Sequence, residues 1–288
     1  VISYRHHVVS LVAVFLALAV GIALGSTVLA DADDDTTPDA RPAAATGAPG
    51  AGYGDDFALQ VAPRLYADGL AGHPVAVLTL PGADERDVEA LTEQVAAAGG
   101  GIAGRYDLRP GLVAAGEKTL VDTLGRELSA ATPGVAADAP TYVRLGQLLG
   151  AAAASTDPAG TPLGDTDAPV RESMVAADLL TLATEPVRRA PLVLLVLGDE
   201  VEPAVLAGIS AGLAESATGV VVAGSTAAGH SGDLASLRAD PAAAGLSTVD
   251  GVETGLGRVT AVLALVRELS ETGGSFGAAS SEGAVPLG

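Results

Sequence analysis

The stretch VAVLTLPGADERDVEALTEQVAAAGG, residues 75–100, decides the fold. Val75 to Leu80 is a continuous apolar run closed by Pro81 and Gly82, the pattern of a short strand buried on both faces of a parallel sheet. Residues 84–98 then place Val88, Leu91 and Val95 at spacings of three and four, which makes an amphipathic helix that Gly99 stops. Outward from this unit the alternation recurs. Residues 102–108 read as a weaker second strand, 116–130 as a helix carrying Leu120, Leu124 and Leu128, and 142–154 as another helix. In the second half, residues 171–184 read as a helix, PLVLLVLG (191–198) as the clearest strand, and 204–217 as its helix. GVVVA (219–223) and LSTVD (246–250) supply further strands, and 257–271 closes the domain with Val259, Val262, Leu263, Val266 and Leu269 on one face. The pattern predicts one α/β domain over 55–272, a mainly parallel sheet with helices on both faces. The polar stretch 155–169 reads as a surface insertion in preference to a domain boundary.

Ahead of the domain, Val8 to Ala30 is an uncharged run of 23 residues. As a helix it would be about 34 Å long, enough to cross a hydrocarbon core of about 30 Å. Arg5, His6 and His7 precede it and Asp31, Asp33, Asp34 and Asp35 follow it, so the positive-inside bias keeps the N-terminus in the cytoplasm and sends the rest outside. Residues 1–30 are thus expected to be a cytoplasmic stub and a transmembrane anchor in contact with membrane lipid. The alternative is a cleaved signal peptide, with Val28 and Ala30 before the cut and export to the outer envelope; the run is longer than a signal core needs. Ala13, Ala17, Gly21 and Gly25 recur every four residues along it, a small-residue ridge at which a second copy could pack closely. Residues 31–54 hold three Pro, four Gly and six charged residues and are expected to be a flexible tether, and residues 273–288 a disordered tail.

Composition narrows the function. None of the 35 acidic residues and one of the 15 basic residues, Arg5, lies in positions 1–30, which leaves the exported part at −21. That charge argues against sequence-independent binding to nucleic acid or to anionic lipid headgroups. Cysteine is absent, so disulfides, thiolate metal sites and cysteine nucleophiles are all excluded. Met174, His6, His7, His73 and His230 are the remaining soft or imidazole ligands, and they are scattered. Aromatic residues are 3% of the chain, so its core must be filled by Ala, Val and Leu.

Each motif that could carry chemistry has a plainer reading. Gly255-Leu256-Gly257 opens a helix but lacks the third glycine of a dinucleotide fingerprint, and it reads as a helix-entry turn. Gly224-Ser225-Thr226 reads as a strand-to-helix turn with anion binding as the rarer use. His230, Ser231 and Asp233 are neighbours in AGHSGD, but a nucleophile and its base must converge in space, and sequence neighbours seldom do. His73 reads as an exposed residue entering a strand, and Asp55 and Asp56 as solvated charge. The expectation is therefore no enzyme, no catalytic residue, no cofactor and no metal site.

Three blocks carry a family resemblance: ISYRHHVVSLVAVFLALAVGIALGS near the start, PRLYADGLAGHPVAVLTLPGADERDVEALTEQVAAAGG over 63–100, and LSTVDGVETGLGRVTAVLALVRELSETGG over 246–274. The chain resembles the actinobacterial MctB family, named for mycobacterial copper transport and including the SteB proteins of cell separation. The resemblance implies a cell-envelope protein with an N-terminal membrane segment and an extracytoplasmic α/β domain, serving copper efflux or partner-mediated control of cell separation. It implies an envelope or division protein as partner and brings no catalytic motif. Family members usually carry a coiled coil after the membrane segment, whereas the tether here has no heptads. Copper(I) prefers clusters of Cys and Met, which this chain lacks, so a tight intrachain copper site is not expected.

Overall fold

The computed structural model describes residues 51–164, 167–280 and 282–286. Their elements in chain order begin with α1 (Ala51–Tyr66), β1 (Val75–Thr79), α2 (Glu85–Ala97), β2 (Ile102–Leu108), α3 (Pro110–Val113), α4 (Lys118–Ala131) and α5 (Thr141–Ala153). There follow β3 (Thr161–Pro162), α6 (Ala168–Ala176), β4 (Leu180–Thr184), β5 (Arg188–Arg189), β6 (Leu192–Val196) and α7 (Pro203–Ala214). The chain continues with β7 (Gly219–Gly224), α8 (Thr226–Ser231), α9 (Asp233–Arg238), β8 (Ser247–Asp250), α10 (Gly255–Arg267) and β9 (Gly274–Phe276).

Seven strands form one sheet in the order β4-β2-β1-β6-β7-β8-β9, parallel throughout except that β4 runs antiparallel to β2. Successive side chains of a strand point to opposite faces, and the sequence fills both. Ala76, Leu78, Val193, Leu195, Val220 and Val222 enter one core, beneath α5, α6 and α7. Val75, Val77, Leu192, Leu194, Val221 and Val249 enter the other, beneath α1, α2 and α10. The central strands β1 and β6 are buried at every residue, as their unbroken apolar runs require. The α2 helix starts where Asp84 accepts a hydrogen bond from the Arg86 amide at 2.8 Å, and it buries Val88, Leu91 and Val95.

With so few large side chains, two helices pack backbone to backbone. A Cβ at Gly146 of α5 would overlap the Ile209 carbonyl oxygen, and one at Gly212 of α7 would overlap the Val143 carbonyl oxygen. Alanine-rich composition is thereby turned into a tight seam.

The structure departs from the sequence expectations in four places. Residues 171–184 are not one helix: α6 ends at Ala176, Asp178 takes a left-handed φ of 54°, and β4 turns back to pair Leu180 with Leu108 and Leu182 with Tyr106. The α4 helix is rotated so that Val121 is buried while Leu120 stays half exposed. Residues 51–54, assigned to the tether, are the first turn of α1, a helix the sequence reading did not anticipate. Its buried side is mostly alanine, Ala58 and Ala62, ending in Tyr66, whose hydroxyl donates to Gln94. Gly274–Phe276, assigned to the tail, is an edge strand that pairs Val249 with Phe276 and buries the Phe276 ring. The 155–169 stretch carries β3, which pairs with β5 in a small separate ribbon, while the main sheet continues past it. Among the described residues no helix is long and apolar enough to cross a membrane. Val8 to Ala30, the ridge Ala13, Ala17, Gly21 and Gly25, and tether residues 31–50 lie outside the described residues.

Candidate functional site

In an open parallel sheet, ligands usually bind outside the carboxyl ends of the strands where the strand order reverses. Here the reversal falls between β1 and β6, and the crevice is closed by the chain itself. The Leu80 amide donates to the Val196 carbonyl at 2.9 Å and the Asp199 amide to the Pro81 carbonyl at 2.7 Å, which zips the two loops together. Gly198 lies so close to Pro81 and Ala83 that no side chain could replace its hydrogen. Thr79 donates to Asp107 at 2.8 Å, and Arg105 joins Asp107 to Glu85, holding the Glu85 carboxyl below its usual range. Further along the sheet, cavities open beside β7 and beside β8.

The cavity beside β7, about 290 Å³, is lined by Gly198, Glu200, Ser225, Ser231 and Asp233. Ser225 caps α8 by accepting from the Ala228 amide at 3.1 Å. Asp233 is buried; one of its oxygens accepts from the Leu234 amide at 2.9 Å, the other has no protein partner, and burial pushes the carboxyl up. His230 and Ser231 are exposed, and no hydrogen bond joins His230, Ser231 and Asp233 among the described residues. The three neighbours thus form no relay. At Gly224-Ser225-Thr226 the Thr226 amide donates to both carboxylate oxygens of Glu253, at 3.0 and 3.2 Å. The place where an external anion would sit already holds one of the chain's own.

The cavity beside β8, about 360 Å³, is lined by Gly54, Thr226, Asp250, Leu256, Thr260 and Gly277 among others. Its floor is a polar junction. Asp250 accepts from Arg238 at 2.8 Å through one oxygen and from the Ala278 and Ala279 amides at 2.9 and 3.1 Å through the other. Arg238 also donates to the Thr248 hydroxyl at 3.0 Å and the Phe276 carbonyl at 2.8 Å, so one side chain ties β8, β9 and the following turn. At Gly255-Leu256-Gly257 the Gly257 amide donates to the Thr254 hydroxyl at 3.0 Å, and the Leu256 amide donates to Asp55 at 3.1 Å. A phosphate at this helix N-terminus would have to displace Asp55. The Leu256 amide thus gives Asp55 a role that sequence reading missed, whereas Asp56 remains exposed.

No group of three or more His, Cys, Asp or Glu residues placed to hold a metal ion is found among the described residues. Met174 lies in the core, and the His73 ring is 2.8 Å from the Pro158 carbonyl.

Comparison with known proteins adds what geometry leaves open. The family model described as "Copper transport outer membrane protein, MctB" matches residues 1–287. The chain belongs to the MctB family. The proteins named copper transporter MctB in Mycobacterium tuberculosis and Mycobacterium bovis are each 30% identical to it, over 92% of this chain and 92% of theirs. The Mycobacterium leprae protein of the same name is likewise 30% identical over 92% of each chain. In this MctB-family chain the STVD and GR residues of the third resembling block sit at the β8 junction. Thr248 and Asp250 receive Arg238, and Arg258 donates to the Val252 carbonyl and to Asp87. Arg238 and Glu253 gave no sequence signal, because each acts on partners from ten to about forty residues away.

Proposed function

We propose that the chain is a single-pass plasma-membrane protein with its N-terminus in the cytoplasm and its α/β domain outside, acting without catalysis as an envelope binding or regulatory module in cell separation. The observation that carries this reading is the use of Asp55 and Glu253, the chain's own carboxylates, to fill the anion-binding positions at the carboxyl side of the sheet. With the switch-point crevice also closed, the fold offers its surface to partners more readily than it offers a reaction chamber. Self-association through Ala13, Ala17, Gly21 and Gly25 would bring two domains together at the membrane.

A second reading is favoured by the family's description: the chain is one component of copper efflux across the envelope, working through oligomers or partners. One apolar run cannot enclose a pore. Two experiments test the proposal. Protease added to intact spheroplasts should remove the domain, protection until lysis would reverse the topology, and a mature N-terminus at Asp31 would show that the anchor is cleaved. A deletion strain should mis-septate with unchanged copper tolerance, whereas copper sensitivity with normal septation would put the second reading first.

A further inference from the structure

At the amino ends of β6 and β7, across the sheet from the two cavities described above, lies a further cavity of about 350 Å³. Gln147, Ser155, Thr161, Arg189, Glu215 and Ser216 are among its walls. A Cβ at Gly150 would overlap the Ser216 side chain, so the absent side chain lets α5 and α7 finish side by side there. Most of these polar groups are held by the chain itself. The buried Gln147 side chain donates to Glu215 at 2.8 Å and accepts from the Ala136 amide at 2.9 Å, and the Ser155 and Thr161 hydroxyls lie 2.6 Å apart.

Arg189 is different. Its Nε is buried and has no partner, and no carboxylate among the described residues pairs with it. The other buried or half-buried arginines, Arg105, Arg144, Arg171, Arg238, Arg258 and Arg267, each meet a carboxylate. Alternation along β5 sends Arg188 the other way, to the Ala159 carbonyl and a separate cavity beside His73. A guanidinium drawn out of water without an anion is costly, and its planar fork matches a carboxylate. The rest of the cavity calls for the opposite charge. Glu215 borders it, as do the last turn of α5 and the exit of α7, whose carbonyl ends carry partial negative charge.

We propose that this cavity binds a small zwitterion, a free amino acid or a short peptide, with its carboxylate on Arg189 and its ammonium toward Glu215. The volume lies at the low end of the range of about 300–1,000 Å³ for small-molecule sites, which suits a ligand of that size. Binding here gives the module proposed above a ligand but needs neither its membrane topology nor its role in septation, so either can fail alone.

The full chain in detergent solution is titrated by calorimetry with L-alanine and L-alanyl-L-alanine, and with N-acetyl-L-alanine and L-alaninamide, which lack the ammonium and the carboxylate respectively. Alanine or its dipeptide should bind, the tighter of the two marking the source, and both blocked forms should bind about tenfold more weakly. Arg189→Gln and Glu215→Gln should each weaken binding about tenfold, and Arg188→Gln should not. Arg189→Lys, which keeps the charge and loses the fork, should fall between; with Glu215→Gln it carries the test if Arg189→Gln does not fold. N-acetylalanine binding as tightly as alanine would overturn the zwitterion, and binding unchanged by Arg189→Gln would overturn the site. Binding of no probe to the folded parent would also overturn the proposal, and would leave Arg189 as a counter-charge to the two helix ends.

Discussion

Asp250 and Arg238 meet at 2.8 Å beneath the carboxyl end of β8, the carboxylate fully withdrawn from solvent and the guanidinium 11% exposed. This pair is the joint by which the last strand and the turn after it are fastened to the sheet, since Arg238 also reaches Phe276 and Asp250 also holds Ala278 and Ala279.

Removing one member of a buried pair leaves the other charge uncompensated, at a cost of about 3–5 kcal/mol. Arg238→Met should therefore lower the unfolding free energy by about that amount in denaturant titration. Limited proteolysis should cut the variant first after residue 273, ahead of global unfolding. A variant as stable as the parent would show that the pair does not fasten β9.

The helix seam makes a second prediction. Gly146→Ala pushes a methyl into the Ile209 carbonyl of the neighbouring helix backbone, which cannot swing aside as a side chain can. Overpacking of this kind costs about 1–3 kcal/mol, and a clash with backbone belongs at the upper end. Gly116→Ala, where a Cβ meets nothing within 4 Å, is the control and should leave the melting temperature nearly unchanged.

Glu268 gives the stability a pH dependence. Its carboxyl is buried, and one oxygen accepts from the Ser247 hydroxyl at 2.5 Å and the Gly273 amide at 2.8 Å while the other has no partner. Desolvation outweighs these bonds and pushes the carboxyl up. The folded state then binds the proton more tightly than the unfolded chain, so the contribution is complete below the ordinary carboxylate pKa of about 4.3 and is lost as pH rises through the folded value. The unfolding free energy of Glu268→Gln minus that of the parent should increase with pH over that window and then level off. A difference independent of pH would contradict this account of the site.

The proposed membrane anchor makes a fourth prediction. Were Val8 to Ala30 to span the membrane as a helix, as proposed, the four-residue spacing of Ala13, Ala17, Gly21 and Gly25 would place them on one stripe. Gly21→Ile with Gly25→Ile should lower the dimer signal in a membrane crosslinking assay, and Leu18→Ile should not. Equal association in both would assign any oligomer to the domain or to a partner.

The central architecture was legible because β1, β6 and β7 are buried on both faces and must read as unbroken apolar runs. Elements at the margin were not. The α1 helix hides behind Ala58 and Ala62, contains Pro63 and exposes Tyr53 and Phe57, so it shows no single apolar face. The β4 strand is an edge with most of its side chains outside, and β9 is three residues whose last carbonyl is held by Arg238, far away in sequence. The β8 cavity draws its walls from residues 54–55, 226, 250–260 and 277–284, and no local pattern marks such a convergence. At the sites the sequence revealed the helix-entry turns at Gly224-Ser225-Thr226 and Gly255-Leu256-Gly257, but not the carboxylates of Glu253 and Asp55 that occupy their anion positions, because those come from distant parts of the chain.

The claim that this protein acts through the surface of its domain, without that domain holding copper itself, is tested most directly by calorimetric titration of residues 31–288 with copper(I) against a competing chelator. The account predicts no tight stoichiometric binding, because Met174 is buried and His73 and His230 lie in separate parts of the sequence. Tight binding that disappears on His73→Ala or His230→Ala would contradict it and make direct copper handling the chain's primary role.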